Sequence, residues 1–598
     1  MSQPNTPSAP SEEPLKPSNF LRHVIEQDLE TGALAGRHFA GTPGSAAHHA
    51  QGPLDPARIR TRFPPEPNGY LHIGHAKAIC LNFSLARDYG GICHLRFDDT
   101  NPEKEEQEYV DAIKEMVSWL GWDWHVGGTS HLYQASDYFD FMYEAAEYLV
   151  NAGLAYVDEQ TAEEMRANRG DFNTPGTPSP FRARSAAENL ARLREMRDGK
   201  HADGAMVLRA KIDLASPNIN LRDPTLYRIR RATHHNTGDK WCIYPMYTYA
   251  HPIEDALECI THSVCTLEFE DQRPFYDWLL NSLADGGLLA RPLPHQYEFG
   301  RLNLSYVVTS KRKLRQLVEQ NHVAGWDDPR MPTLVGMRRR GYTPESIRNM
   351  VESSGVTKQN AWLDYSVLDG YLRADLEGKA GRACAVLDPL KLKLTNFADI
   401  FGSTEHREPC SAPAHPHLPE LGTRQFSLGP ELWIEQEDFQ EVPIKGYHRL
   451  YPGNKARLKY GYVIECTGCE KDAEGKVSAV LATLVPDTKS GTPGADAVKV
   501  KGVITWVGAH EGVAAEVRLY DRLFKEAQPD AGDKDFLEAL NPNSLKITQA
   551  WLEPSLRGVA LGTHLQFERH GYFVTDRVHH AAGKPVFNKT TSLKDGWK

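Results

Sequence analysis

The sequence predicts an α/β N-terminal half followed by an all-β C-terminal half. In the first half, the strand-like run "ICHLRF" (92–97) precedes the helical run "NPEKEEQEYVDAIKEMVSWLGW", and a second helical pattern covers 137–152. This alternation is typical of a parallel α/β sheet. After about residue 380, short β-rich runs such as "RLKYGYVIEC" and "KVSAVLATLV" alternate with turn residues. They indicate β-barrels or sandwiches without long crossover helices.

Composition restricts the class of protein. The 598 residues are 40% hydrophobic and 25% charged, which is ordinary for a globular protein of roughly three to five domains. No stretch approaches the roughly 20 apolar residues of a membrane span. The polar, Pro-rich N-terminus lacks the apolar region of a secretory signal. We therefore expect a cytoplasmic protein that has no contact with membranes.

The nine cysteines are an odd number in a long chain, which argues against a disulfide framework. Cys466 and Cys469 form one CxxC pair, but a zinc site needs a second pair at suitable spacing. We expect two reduced thiols in a β-hairpin and no protein-bound structural metal.

Charge is unevenly distributed along the chain. The net charge is −11, which argues against a uniformly basic nucleic-acid-binding surface but not against a local basic face. The window 301–350 contains ten Lys or Arg and four Asp or Glu, and is therefore +6. It is either a basic binding face or an ordinary solvated helical surface.

The N-terminal segment has three parts. Residues 1–17 are rich in Pro and Ser, and we expect them to be disordered. The run "SNFLRHVIEQDLETG" predicts a short amphipathic helix that Ser18 or Asn19 caps and Gly32 ends. Residues 33–56 are rich in Ala, Gly, His and Pro, which predicts a flexible connector.

Two more helices are predicted in the α/β half. In the first, Asn101 is placed to cap the helix and Pro102 lies in its first turn. The second covers 137–152 and ends at Gly153. Apolar residues recur at helical spacing in both: Ile113, Met116, Val117 and Leu120, then Tyr138, Met142, Ala145 and Leu149.

The stretch "FPPEPNGYLHIGHAKAICL" (63–81) carries the first candidate site. Its Pro and Gly predict a turn after a strand-like segment, with a helix starting around His72. A helix N-terminus attracts phosphate through its unpaired N–H groups and its dipole. His72 and His75 are three residues apart, on the same side of the first turn, and Gly74 lets a base or a backbone come close. The pattern suits a nucleoside triphosphate whose phosphate oxygens accept from both imidazoles.

Other interpretations of the two histidines remain open. They could bind a metal, although no third ligand is evident nearby, or they could be structural surface residues. The run "VVTSKRKL" (307–314) favours the triphosphate. Its Lys311, in a compact basic turn, could neutralise the β- and γ-phosphates as pyrophosphate leaves. The alternative is an exposed helix start with Lys and Arg facing water.

HIGH followed by a lysine-bearing SKR loop resembles the class I aminoacyl-tRNA synthetases. The longer stretch "FPPEPNGYLHIGHAKA" is similar to the glutaminyl-tRNA synthetases, and Asn68 stands where the eukaryotic and archaeal glutamyl enzymes usually carry Ser. Further similar blocks are "LRFDDTNP", "KWCIYPMY", "THSVCTLEFEDQR", "QYEFGRLNL", "GWDDPRMPT" and "LQFERHGYF". The resemblance runs from about Ser18 to Trp597 and is interrupted by 33–56.

The resemblance implies a two-step reaction. The glutamine carboxylate attacks the α-phosphate of ATP, which gives glutaminyl-adenylate and pyrophosphate. The terminal adenosine 2′-hydroxyl of tRNA(Gln) then attacks the activated carbonyl. Neither step needs a protein nucleophile, and Mg²⁺ accompanies the ATP. In this family the enzyme is a monomer, and glutamine activation needs bound tRNA.

The resemblance also implies the domain organisation. A Rossmann-type catalytic domain carries an inserted acceptor-binding domain and a helical subdomain, and two anticodon-binding β-barrels follow. The expected boundaries are 1–56 for the N-terminal extension, 57–133 and 247–300 for the catalytic domain, 134–246 for the insertion, 301–380 for the SKR loop and helical subdomain, 381–425 and 530–598 for the proximal barrel, and 426–529 for the distal barrel.

The contacts with ATP and glutamine are carried over from the resemblance. The expected catalytic residues are His72, His75 and Lys311. The expected ATP-binding residues are Glu66, Pro67, Asn68, His72, Gly74, His75, Thr266, Arg301, Leu302, Thr309, Ser310 and Lys311. The expected glutamine-binding residues are Asp98, Tyr247, Arg62, His251 and Gln296. Asp98 suits the substrate ammonium, and Tyr247 can offer a hydroxyl to the amide; the alternatives are a helix cap and a core tyrosine.

The tRNA contacts divide between the two ends of the molecule. The expected acceptor-end residues are Pro217, Ile219 and Asp271. The expected anticodon residues are Arg382, Arg449, Gln566 and Arg569, with the basic window 301–350 along the phosphates of the inner arm. Four positions depart from the family pattern: Thr309 replaces Met, and Gly446, His448 and Lys459 replace Gln, Lys and Arg. These departures leave the mobility of the loop and three individual anticodon contacts open.

Three other functions compete with glutamine charging. A glutamyl-tRNA synthetase would have the same architecture and differ only in the amino-acid pocket. A catalytically silent tRNA-binding protein would not need His72, Gly74, His75 and Lys311. A nucleotidyltransferase that forms adenylates without tRNA would leave the long β half unexplained.

Overall fold

A computed structural model describes residues 18–103, 106–532 and 534–594, so the predicted disorder of residues 1–17 lies outside the described residues. The chain forms two compact units. Of the described residues, those within 18–70, 74–303 and 351–362 form the first unit, and those within 71–73, 304–350 and 363–594 form the second.

The α/β part of the first unit is a parallel sheet. Its strands are Arg60–Phe63, Ile92–Phe97, Leu132–Gln134, His262–Thr266 and His295–Phe299. The first three pair with one another and the last two with each other, all in parallel. The Thr261 N–H donates to the Arg60 carbonyl at 2.9 Å and joins the two sets. The predicted parallel α/β sheet is confirmed.

The helices that accompany this sheet agree with most of the predictions. They are Phe20–Thr31, Ala46–His49, Ile73–Asp88, Gln107–Trp119, Tyr247–Leu257 and Arg273–Asp285. The first begins and ends as predicted, since Asn19 accepts from the Arg22 N–H at 3.1 Å and Gly32 follows with a φ of 71°. The predicted start at Asn101 is wrong, because residues 102 and 103 form a turn and the helix begins only at Gln107, after Glu106, whose N–H donates to the Pro67 carbonyl at 3.3 Å.

An antiparallel sheet occupies the segment that was predicted as an insertion. Its strands are Ala155–Asp158, Val207–Ala210, Thr225–Ile229 and Ile243–Pro245. The short strands His125–Val126 and Thr129–Ser130 precede this segment and pair only with each other. The accompanying helices are Phe139–Asn151, Ala162–Asn168 and Ala186–Arg197. Leu149, Leu193 and Leu208 are fully buried in the shared core, so burial of one face of this sheet fixes its packing.

Residues 33–57, which we call the strap, differ from the predicted flexible connector. The strap folds back on itself where the Phe39 N–H donates to the Pro53 carbonyl at 3.1 Å. It is attached to the α/β part by hydrogen bonds from the Ala46 N–H to Leu288 O (2.9 Å) and from His49 Nε2 to Leu257 O (2.8 Å). Composition predicted flexibility because these partners lie far away in the sequence.

The second unit begins with short helices. These are Lys311–Glu319, Leu334–Arg340, Pro344–Ser353, Tyr365–Glu377 and Phe397–Phe401, and the strands Leu302–Leu304 and Ala361–Leu363 lie near the unit boundaries. Leu314 and Leu317 of the first helix are buried against Phe524 and Phe536.

Two seven-stranded sheets and one hairpin form the C-terminal half. In order of pairing, the first sheet contains Gly381–Ala383, His564–Phe567, Gly571–Thr575, Val586–Thr591, Val513–Tyr520, Leu545–Leu552 and Ala385–Val386. The second contains Gly502–Ile504, Lys455–Leu458, Val463–Lys471, Val477–Leu484, Pro389–Leu394, Glu431–Glu435 and Val507–Gly508. The hairpin pairs Glu408–Pro413 with Thr423–Leu428. The predicted all-β half is confirmed.

The predicted barrel boundaries do not coincide with these sheets. Pro389–Leu394 lies in the second sheet, and Val513–Tyr520 lies in the first. The chain therefore crosses between the sheets earlier and returns earlier than the resemblance implied.

The thiols agree with the prediction. All nine cysteines are free, and Cys466 and Cys469 lie in one strand of a hairpin. Among the described residues, no helix is both long enough and apolar enough to cross a bilayer.

Candidate functional site

The HIGH residues lie where the helix Ile73–Asp88 begins. His72 immediately precedes the helix, and His75 is in its first turn, within one residue of the predicted start. Backbone hydrogen bonds of 2.8 and 2.9 Å and a bridge at His72 pair residues 71–73 with 332–334. The "MPT" of "GWDDPRMPT" therefore holds this turn in place, and no local sequence signal revealed that pairing.

The turn before the helix carries a short polar contact. The Asn68 side-chain amide donates to the carboxylate of Glu66, and the Asn68 N–H donates to the Glu66 carbonyl at 2.9 Å. Pro67 is buried and Glu66 is exposed. Asn68 therefore orients the Glu66 carboxylate at the surface.

Asp98 is a buried carboxylate directly after the strand Ile92–Phe97. It is 4% exposed. Burial, with a contribution from the charge of Glu66, raises the pKa of Asp98 to about 7. The Thr100 hydroxyl donates to it at 2.9 Å and opposes that shift. A cation bound here would shift the group to its ionised form.

Arg62 is fully buried and its guanidinium is occupied. It donates to Asp255 (3.1 Å), Ser263 Oγ (2.7 Å), the Val264 carbonyl (2.9 Å) and His251 Nε2 (3.1 Å). These contacts indicate that Arg62 holds His251 in place and does not contact a ligand directly. Burial and the neighbouring arginines lower the pKa of His251 to about 3, so this imidazole is neutral at physiological pH.

Tyr247 and Gln296 complete the predicted glutamine set. The Tyr247 ring stacks on His251, with centroids 5.2 Å apart and planes 10° from parallel. Burial raises the pKa of Tyr247 well above 10, so its hydroxyl remains a donor. The Gln296 amide donates to Phe269 O and to Glu298, both at 2.9 Å, so its side chain is engaged inside the protein.

A buried row of charges underlies these residues, and no motif in the sequence indicated it. Asp255 accepts from Arg62 and from Arg96, the latter at 2.7 Å. Arg96 also pairs with Glu254 (2.9 Å) and Glu258 (3.2 Å). The helix Tyr247–Leu257 positions two of these carboxylates, Glu254 and Asp255, and His251 lies about one turn before Asp255 on the same helix.

The predicted adenosine residues share a partner. The Thr266 hydroxyl donates to Glu268 at 3.0 Å, and the Arg301 guanidinium pairs with the same carboxylate. The Arg301 N–H donates to Asn360 at 2.9 Å, and Leu302 is buried in the adjoining strand. Glu268 therefore brings Thr266 and Arg301 together, and sequence reasoning missed it.

The SKR segment differs from the predicted turn, because Lys311 begins the helix Lys311–Glu319 with Ser310 at its N-cap position. Thr309 directly precedes this start. Lys313 pairs with Asp530 at 2.9 Å, and the buried Leu314 anchors the helix. The segment forms a helix because its apolar residues Leu314 and Leu317 are three positions apart and lie on one buried face.

The predicted acceptor-end residues lie on one surface of the first unit. Pro217 and Ile219 flank Asn218, whose amide donates to the Asp271 carbonyl at 2.7 Å. The Asn220 amide donates to the same carbonyl at 3.2 Å. The structure therefore brings Pro217, Ile219 and Asp271 together.

The predicted anticodon residues form two groups. Arg382 lies opposite Gln566 in neighbouring parallel strands and pairs with Glu377 at 2.6 Å. Arg449 and Arg569 both pair with Glu437 and Asp438, at 2.6 to 3.1 Å.

Among the departing positions, the structure gives a local reason for Gly446 and shows the surroundings of Lys459 and His448. Gly446 has a φ of 88°, a conformation that a Gln there would adopt only with strain. Lys459 pairs with Glu568. His448 is exposed, and its carbonyl accepts from Asn454 at 3.3 Å.

The basic window 301–350 is not a uniform basic face. Arg339 and Arg340 are each 6% exposed. Arg339 pairs with Asp576, and Arg330 pairs with Asp328 at 2.7 Å. Much of the counted charge is thus neutralised inside the protein, while Arg312 and Arg315 remain exposed.

Asp99, His234 and His235 are spaced as metal ligands would be. However, His234 Nε2 donates to the Asp99 carbonyl at 2.6 Å, and its Nδ1 accepts from the Asn236 and Thr237 N–H groups. Metal binding through His234 would break these bonds. Asp99 in turn accepts from Ser136 at 2.5 and 2.7 Å, so the group forms a structural hydrogen-bond cluster.

Three family matches cover most of the chain. Residues 58–369 match "tRNA synthetases class I (E and Q), catalytic domain". Residues 380–485 and 503–576 each match an anti-codon binding domain of the same family. The chain belongs to the class I (E and Q) tRNA synthetases.

Curated relatives of this synthetase match over nearly their whole length. Glutamine–tRNA ligase from Bordetella pertussis is 65% identical over 581 residues, which are 97% of this chain and 98% of that protein. The protein of the same name from Ralstonia nicotianae is 61% identical over 597 residues, with 100% of both chains covered. A solved glutamate tRNA ligase from Elizabethkingia meningosepticum matches with a TM-score of 0.40 and 19% identity, covering 54% of this chain and 70% of that one.

Proposed function

We propose that this synthetase joins L-glutamine to the terminal adenosine of tRNA(Gln), with consumption of ATP, through a glutaminyl-adenylate. The observation that carries the proposal is the stacked, electrically neutral pair Tyr247–His251, together with the buried carboxylate of Asp98. A free amino acid has an ammonium for Asp98. The neutral imidazole and phenol suit the uncharged amide of glutamine.

The same pocket disfavours glutamate as the substrate. A glutamate side chain would need a cation, but the Arg62 guanidinium is already occupied by Asp255, Ser263, Val264 and His251. Placing a carboxylate beside neutral groups in a dry pocket leaves it poorly compensated. The names of the curated relatives point to the same amino acid.

In the first step, the enzyme positions two substrates and stabilises charge. Asp98 holds the glutamine ammonium, and Tyr247 with His251 orients the amide. His72 and His75 donate to the triphosphate at the helix start, and Lys311 neutralises the departing pyrophosphate. Glu66 and Asn68, with Pro67 and Gly74, line the nucleotide, while Thr266, Arg301, Leu302, Thr309 and Ser310 border it. Mg²⁺ arrives with ATP as part of that substrate.

In the second step, the tRNA supplies the nucleophile. The residues Pro217, Ile219 and Asp271 contact the acceptor end, and the inserted antiparallel sheet supports them. The groups Arg382–Gln566 and Arg449–Arg569 read anticodon bases, with Glu377, Glu437 and Asp438 holding the arginines until bases displace them. We further propose that the enzyme works as a cytoplasmic monomer.

Pyrophosphate exchange tests the proposal directly. Label from pyrophosphate is expected to enter ATP only when glutamine and cognate tRNA are both present, because the family resemblance implies that glutamine activation needs bound tRNA. Exchange supported by glutamate would identify a glutamyl enzyme. Absence of exchange under every condition, with tRNA still bound, would identify a silent tRNA-binding protein.

The pH dependence of glutamine use is a second prediction. Only the ionised Asp98 can pair with the ammonium, and the pKa of Asp98 in the empty site is about 7. Ionisation is nearly complete at pH 8 and about one tenth at pH 6, so kcat/KM for glutamine is expected to fall roughly tenfold over that interval. KM for ATP, measured at the same pH values, serves as the internal control. A flat glutamine profile between pH 6 and 8 would contradict the role of Asp98.

A further inference from the structure

The strap ends in a buried ion pair with the first strand of the sheet. Asp55 accepts from Arg60 Nε and from an Arg60 terminal nitrogen, both at 2.8 Å, and from Arg37 at 3.0 Å. The side chains of Asp55 and Arg60 are each 1% exposed. The Phe39 ring lies over the Arg60 guanidinium, 3.9 Å from the centroid. The strap thus supplies the counter-charge of the buried Arg60, through Asp55, and the ring that covers its guanidinium, through Phe39.

From Arg60 the contacts continue inward. Arg60 donates to His94 Nε2 at 3.1 Å, and His94 donates through Nδ1 to Glu258 at 2.9 Å. Burial lowers the pKa of His94, so the ring is neutral and passes a hydrogen bond from one side to the other. Tyr138 also donates to Glu258, at 3.0 Å.

The row then reaches the amino-acid pocket. Glu258 pairs with Arg96 (3.2 Å), Arg96 donates to Asp255 (2.7 Å), and Asp255 accepts from Arg62 (3.1 Å). Arg62 holds His251 at 3.1 Å. The charged members alternate in sign from Arg37, Asp55 and Arg60 to Glu258, Arg96, Asp255 and Arg62, and the neutral ring of His94 links Arg60 to Glu258.

We propose that the strap positions Arg62 and His251 of the amino-acid site through this row of alternating charges, with Asp55 as its positioning residue. The roles of Arg62 and His251 in glutamine binding rest on the proposed function, but the row itself does not. Removing one charge from a buried row leaves its neighbour uncompensated. Arg60 would then turn toward Glu258 and draw it from Arg96, which would loosen Asp255 and Arg62.

The protonation states are consistent with such a row. Burial alone would raise the pKa values of Asp55, Glu258 and Asp255, yet the adjacent arginines outweigh it and all three lie below their ordinary values. Each carboxylate is therefore ionised because of the arginine beside it, so that loss of one member alters the next.

The test compares two Asp→Asn variants of similar burial. Asp55→Asn removes the charge of the row. Asp88→Asn is the control, because Asp88 pairs with Arg22 at 2.6 Å and its side chain is 4% exposed but lies off the row. In tRNA charging, Asp55→Asn is expected to raise KM for glutamine about 3- to 10-fold with KM for ATP changed less than twofold. Asp88→Asn is expected to change neither KM.

A double-mutant cycle that combines Asp55→Asn with Glu258→Gln tests whether the two residues act through one coupled row or through independent contacts. The effects of Asp55→Asn and Glu258→Gln on KM for glutamine are expected to be non-additive, since either change breaks the same row. Additive effects, or equal increases in both KM values, would overturn the proposal. Should Asp55→Asn fail to fold, Phe39→Leu loosens Arg60 without removing a charge and is expected to give a smaller increase.

Hydrogen exchange supplies a readout that needs no activity. Asp55→Asn is expected to speed exchange in the helix Tyr247–Leu257 and to leave the helix Ala186–Arg197, which carries no member of the row, unchanged, and Asp88→Asn is expected to affect neither. If the parent enzyme does not charge with glutamine, the proposed function fails while exchange still tests the row. If the parent enzyme charges tRNA normally and Asp55→Asn changes neither KM for glutamine nor hydrogen exchange, the proposed function stands and the proposed positioning role of the row is wrong.

Discussion

Replacing Lys311 with alanine is expected to slow adenylate formation by about 100- to 1,000-fold. In the proposed mechanism the lysine ammonium neutralises charge that develops on the leaving pyrophosphate, and loss of one such preorganised donor typically has an effect of this size. Affinity for tRNA should change less than about twofold, because the proposed role of this side chain is toward ATP. The measurement is pyrophosphate exchange with glutamine and tRNA present, together with tRNA binding by filter retention.

The matched control for Lys311→Ala is Arg315→Ala. Arg315 lies one turn further along the same helix, is exposed, and carries the same charge. Its removal should leave exchange within about threefold of the parent rate. A large loss of tRNA affinity with unchanged exchange in Lys311→Ala would assign the lysine to tRNA binding instead.

Replacing Asp98 with asparagine is expected to lower kcat/KM for glutamine by about 100-fold. Hydrogen bonds between charged partners contribute about 1.5 to 3 kcal/mol each, and a neutral amide at this position would leave the ammonium without its counter-charge. The dependence on pH between 6 and 8 should disappear as well. Steady-state charging across this range measures both effects.

Thr100→Val is the control for Asp98. The Thr100 hydroxyl stabilises the ionised carboxylate at 2.9 Å, and Val keeps the shape without the donor. The pKa of Asp98 should rise, so the profile shifts to higher pH while activity at about pH 8.5 or above remains near the parent value. An Asp98→Asn variant with parental kcat/KM would show that the ammonium binds elsewhere.

Much of the fold follows from local patterns. Asn19 and Gly32 fixed the first helix because capping depends on residues within one turn. The strand Ile92–Phe97 and the β-rich runs after about residue 380 were also correctly located. The helix expected from Asn101 failed because distant backbone partners in the 64–70 turn outweighed the local capping signal.

Some parts of the candidate site were predicted from the sequence and others were not. The spacing of His72 and His75 marked the helix start, and the resemblance selected Asp98, Tyr247 and His251. Composition could not reveal that Arg339 and Arg340 are buried, so the count of charges in 301–350 overstated the basic surface. Burial is a property of packing, and a count along the chain does not contain it.

By itself, the sequence determined where the helix of the HIGH motif begins, which half of the chain is α/β, and which family the chain resembles, because these depend on neighbouring residues and on motifs. Only the tertiary structure decided that the strap is attached, that Asp255 meets Arg62 across 193 positions, and that His251 is neutral. Those facts depend on which side chains are buried together. In the protein interior, the protonation state and the pairing of each group are set by neighbours that are distant in the sequence.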